Sequence, residues 1–156
     1  MLNKLKQRKQ GFTIIEVLIV LAIAGLILLI VFLAVPALQR NSRNTQRRND
    51  VARELGAAQE VLNNNNGLMA SLTTANIVAA TGTLGYYQAG PTVTAMAAGV
   101  ASGAGLNSTT VDTTTLYTAA TCDTAVGQVG KAISGTARQV ALVYKIEPAV
   151  IQCTNS

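Results

Sequence analysis

The chain has 156 residues, 49% of them hydrophobic and 12% charged, with 12 Lys and Arg against 7 Asp and Glu, enough for one modest domain plus an appendage. The net charge of +5 is local: Lys4, Lys6, Arg8 and Lys9 crowd the first residues, and Arg40, Arg43, Arg47 and Arg48 crowd the far end of one apolar run. This distribution does not describe a basic surface for nucleic acid, and a chain without His or paired acids beside a nucleophile gives catalysis no foothold.

Residues 1–11 (MLNKLKQRKQG) are polar and basic, like the n-region of a secretory signal. Residues 17–38 then run without a charge, long enough to span a bilayer as a helix. That run exceeds an ordinary signal core and gives way to QRNSRNTQRRND rather than to a small-residue cleavage box, which argues against removal of the whole segment. The polar stretch 39–50 has no Pro or Gly and leads into Val51, Leu55, Ala58 and Leu62, whose spacing puts them on one helical face. The pattern predicts one helix over about 12–62, roughly 75 Å long, lying with its distal stripe on the following domain. It should stop at Asn63-Asn64-Asn65-Asn66-Gly67, where Asn and Gly supply a left-handed cap. Gly25 and Pro36 weaken its first half, one by backbone freedom and the other by a lost hydrogen bond.

From 67 to 156 the signal is poorer. Residues 68–108 mix small side chains without clean periodicity, with turn markers at Gly85-Tyr86-Tyr87 and Gly90-Pro91. Residues 109–118 are β-branched enough for a strand, 139–147 alternate as a better one, and 149–153 can form a last edge strand after Pro148. The expected fold is α+β: a long helix packed on a small antiparallel sheet. The chain divides into segment 1–11, an apolar helix 12–38, its polar then amphipathic continuation 39–66, and a head 67–156. With no Trp and few aromatics, the head's core is thin and calls for a staple, for which Cys122 and Cys153 are the candidates. Free thiols are the alternative, but outside the cytosol such a pair oxidises, and closing about 30 residues contributes roughly 3–4 kcal/mol.

Lys9-Gln10-Gly11-Phe12-Thr13-Ile14-Ile15-Glu16-Val17-Leu18 sets a basic leader ending in Gly before Phe, a Glu four residues later and a long apolar run. Over about 4–40 this resembles the class III leader and N-terminal helix of type IV pilins and of the related pseudopilins of type II secretion. The resemblance implies that 1–11 is a leader cut between Gly11 and Phe12 by prepilin peptidase, with N-methylation of the new Phe12 amine. It implies a subunit stored among the lipids of the bacterial cytoplasmic membrane, leader inside and head outside. An assembly platform and a motor ATPase would then polymerise it with copies of itself into an extracellular filament for adhesion, twitching motility or DNA uptake. A pseudopilin of a secretion piston and a DNA-binding competence pilin are the alternatives. Gly25 falls where pilins loosen within the filament, and Pro36 lies slightly later than in the family pattern.

Glu16, a carboxylate beside an apolar span, has two readings: a counter-charge for the Phe12 amine of an adjacent subunit, or a hydrated group at the membrane interface. The stripe Arg40, Arg43 and Arg47 could meet DNA backbone, but lipid phosphates and neighbouring carboxylates are the stronger expectation, since no aromatic is interleaved for stacking. Arg47, Asp50 and Arg53 are spaced for local pairing. Asp112, Asp123 and Glu147 match no calcium loop and read as solvated surface. No catalytic residue, cofactor site or metal site is expected.

Overall fold

The computed structural model describes residues 11–101 and 112–156; residues 1–10 of the expected leader, and 109–111 at the start of the strand expected over 109–118, lie outside them. The chain forms two compact units, Met1–Gln39 and Arg40–Ser156. One helix, α1 (Ile14–Asn64), supplies residues to both and continues without interruption through Gly25 and Pro36.

In the first unit, α1 is apolar on every side. Ile14 is 82% exposed, and Leu18, Leu26, Ile30 and Leu33 are exposed as well. A helix that is hydrophobic all round is stable only where lipid or protein covers it.

The second unit obeys a different pattern. From Arg47 to Leu62, α1 buries Arg47, Asp50, Val51, Glu54, Ala57, Ala58, Val61 and Leu62, a stripe with three- and four-residue steps. The helix ends in a Schellman turn: Asn66 takes φ +54°, and the Gly67 N–H donates to the Leu62 carbonyl at 2.7 Å. A short 3-10 turn (Met69–Ser71) leads to α2 (Thr74–Thr81), whose N-cap Thr73 accepts from the Asn76 N–H through its hydroxyl. The strands follow as β1 (Thr92–Ala95), β2 (Thr115–Thr118), β3 (Ala120–Cys122), β4 (Ala132–Ser134), β5 (Val140–Ile146) and β6 (Val150–Asn155).

Four of these form one sheet in the order β1-β2-β5-β6, and β3 and β4 pair separately. The fold is α+β, but the main sheet is mixed: β1 runs parallel to β2, where an antiparallel sheet was expected. β1 and β2 are far enough apart in sequence, from Ala95 to Thr115, for the crossover that a parallel pair needs.

β5 is the centre of the head. Its Val140, Leu142, Tyr144 and Ile146 join Val51, Ala58 and Leu62 of α1 and Ile77 of α2 in one core cluster. Its Ala141 and Val143 join Tyr117, Ala120, Ala132 and Met96 in a second. The alternation read from the sequence is real, yet both faces are covered, because the β3–β4 pair covers the side opposite α1. A disulfide from Cys122 in β3 to Cys153 in β6, Cα atoms 5.7 Å apart, joins the two sheets.

Candidate functional site

Gly11, Phe12 and Thr13 precede the helix, and all three are exposed. A Cβ added at Gly11 would meet nothing within 4 Å, so the chain has no internal need for glycine there. Thr13 is the N-cap of α1. Its hydroxyl oxygen accepts from the Glu16 N–H at 3.4 Å, while the Glu16 carboxylate accepts from the Thr13 N–H at 2.9 Å and from its hydroxyl at 2.8 Å. This is a capping box, Thr-x-x-Glu, which satisfies two helix-start donors reciprocally. Reading Glu16 only as an isolated charge missed it, although the Thr13-to-Glu16 spacing carried the signal. Phe12, Glu16, Val17, Val20 and Leu21 line an open, mainly apolar recess of about 420 Å³.

Against this geometry, residues 6–32 match the family model described as the prokaryotic N-terminal methylation motif. The N-terminal segment therefore carries the methylation motif that the resemblance to type IV pilin leaders implies. The methylation motif takes in Gly11, Phe12, Glu16 and Gly25 and stops short of Pro36 and the head. No curated protein and no solved structure matches the chain. Among the described residues, α1 is the one helix long and apolar enough to cross a membrane, and the methylation motif covers most of its apolar half.

The head holds a second constellation that the sequence reading placed wrongly. Arg47 does not pair with Asp50. Its guanidinium donates to Glu147 at 3.1 Å and to the Asn44 carboxamide, bonds the Tyr86 hydroxyl and lies 4.3 Å from the centroid of that ring. Arg43 meets the same Glu147 through two hydrogen bonds of 2.8 and 3.0 Å, in a bidentate fork. The Glu147 backbone is held as well: its carbonyl accepts from the Asn44 carboxamide, and its N–H donates back to it. The hydrogen bonds from Arg43 hold the Glu147 carboxyl below its usual range, against a smaller opposing effect of burial.

Asp50, one turn along α1, accepts from the backbone N–H groups of Gly85, Tyr86 and Tyr87. Arg53 donates to the Thr81 carbonyl. The arginines at 47 and 53 therefore reach other segments rather than pairing along the helix. Arg43 and Arg47 do meet a neighbouring carboxylate, the one on the turn after β5. Of the acids expected at a solvated surface, Asp112 is exposed as expected, and Asp123 and Glu147 are not. Asp123 is buried and accepts from the Ala125 N–H, Glu147 is ion-paired, and Asp112 accepts from the Tyr86 hydroxyl. Among the described residues, no three His, Cys, Asp or Glu side chains gather into a metal-holding group.

Proposed function

We propose that this chain is the structural subunit of a type IV pilus, a substrate of processing enzymes and not an enzyme itself. Prepilin peptidase cuts it between Gly11 and Phe12, the Phe12 amine is methylated, and the anchored subunits polymerise into an extracellular filament. The observation that carries this reading is the apolar half of α1. Its side chains are exposed all round and most of it lies within the methylation motif, so it must be covered by lipid before assembly and by copies of itself afterwards. Open space around Gly11 supports a role for that glycine in fitting a peptidase site. Glu16, at the mouth of an apolar recess beside Phe12, is suited to receive the Phe12 amine of an adjacent subunit. The assembly platform and motor ATPase act on the anchored subunit, and adhesion, twitching or DNA uptake follows from the filament.

The test is mass spectrometry of filaments sheared from cells that express the chain. A mature chain beginning at Phe12 with one added methyl group is expected, and Gly11→Val should leave the precursor uncut in the membrane. A mature chain that still carries residues 4–11, or cells with no surface filament containing the chain, overturns the reading.

A further inference from the structure

Glu54 is the acid that neither the leader nor the anchor explains. It is fully buried, in the middle of the stripe by which α1 meets the sheet, with Val51, Ala57 and Ala58 as its neighbours on the helix. One carboxylate oxygen accepts from the Thr114 hydroxyl at 2.7 Å, and the other is buried without a hydrogen-bond partner. Thr114 is itself fully buried, stands immediately before β2, and accepts from the Thr92 N–H at 2.9 Å through its carbonyl, where β1 begins. One side chain of α1 therefore holds the point at which the parallel pair β1–β2 starts.

A carboxyl group is stable in such a place only while it keeps its proton. Among the described residues, no cation forms an ion pair with it. On α1, Arg47 is occupied by Asn44, Tyr86 and Glu147, and Asp50, one turn away, adds a like charge. The segment 82–91 contributes Tyr86 and Tyr87, and β5 contributes Tyr144, with Glu147 at its end; among these Glu147 is already paired with Arg43. Burial pushes the Tyr87 and Tyr144 hydroxyls up, further from neutrality. We propose that Glu54 is a pH-sensitive joint of the head: protonated, it is accommodated between α1 and the β1–β2 start, and ionised, its buried charge draws in water and loosens that joint although it still accepts from Thr114.

Burial, with the Asp50 charge adding to it and the Thr114 hydrogen bond opposing it, pushes the Glu54 carboxyl up to about 7 from an ordinary 4.5. The sign follows from linkage. Between pH 4.5 and 7 the unfolded chain has lost this proton and the folded head still holds it, so stability falls as pH rises through that window. Below 4.5 both states are protonated, and above 7 both are ionised, so the contribution is flat on either side. Across the window it lowers the folding equilibrium constant on the order of a hundredfold.

The experiment compares thermal unfolding of the full chain and its Glu54→Gln variant in detergent micelles from pH 4.5 to 8.5. The carboxamide keeps the shape and the bond to Thr114 but cannot ionise. The variant's Tm advantage should widen from its pH 4.5 value as pH rises to 7 and stay constant above it. Parallel Tm curves overturn the proposal. Carbon-13 NMR titration of the Glu54 carboxyl in the unmodified chain does not depend on the variant folding: a midpoint near neutrality is expected, and one in the ordinary carboxylate range overturns it. Hydrogen exchange adds the structural readout. The exchange rate of the Thr92 amide relative to Leu142 should rise between pH 5 and 8, and an unchanged ratio refutes the loosened joint.

Discussion

Glu16 accepts hydrogen bonds from Thr13 within its own chain, and under the proposed function it would also be offered to the amine of another subunit. The two roles separate by substitution, because Gln can also complete a capping box whereas it cannot balance a cation. Glu16→Gln should leave membrane insertion and cleavage at Gly11-Phe12 unchanged and lower the yield of sheared filament by about tenfold or more, since each Phe12 amine enters the helix bundle without its counter-charge. Thr13→Val breaks the hydroxyl half of the box and keeps the charge, so filament yield should stay close to that of the unmodified chain. The measurement is the ratio of sheared to membrane-retained subunit by immunoblot. Normal yield from a strain whose only copy carries Glu16→Gln would reduce Glu16 to a helix cap. The capping box was legible in the sequence, four letters long; it was overlooked because a carboxylate beside an apolar run draws attention to charge.

At the scale of the element, the head half of α1 is turned by about one residue from the face its apolar letters marked. Val51, Ala58 and Leu62 are buried as expected, but Glu54 and Ala57 take the centre, and Leu55 is only partly buried. Three polar side chains, Arg47, Asp50 and Glu54, sit on the buried side because each has a fixed partner there. The step of three and four from 47 through 62 was present in the sequence, but charges were assigned to the surface by type. Asp50 shows what such a residue holds together. Replacing it with Ala strips the acceptor from three backbone N–H groups, of Gly85, Tyr86 and Tyr87, the last of them buried. Asp50→Ala should lower head stability by about 2–4 kcal/mol, measured by urea unfolding. A loss below about 1 kcal/mol would mean that water replaces the carboxylate at no great cost. The β5 alternation and the long helix were legible because their periods persist over many residues. α2 and β1 were not: eight residues of Thr, Ala, Asn, Ile and Val carry little period, and a four-residue parallel edge strand carries no hairpin signal.

At the scale of the whole molecule, two units with opposite burial share one helix, so membrane residence and head folding draw on different residues of α1. The head's own stability then rests on a thin core and one covalent tie. Cys153→Ser should lower its unfolding free energy by roughly 3–4 kcal/mol on the chain-entropy account. Urea denaturation of the purified full chain in detergent micelles measures this, and an unchanged midpoint would show that the cores described above suffice without the bond. The same bond sets how the head behaves under load. Cys122 and Cys153 are 31 residues apart, and the ring they close contains β4, β5 and the start of β6. A head stretched from its two ends in a force spectrometer pulls on the bond instead of on that ring, so roughly 100 Å of chain stays hidden until the disulfide is reduced. β5, the most buried strand among the described residues, thus lies within the length that tension cannot spool out.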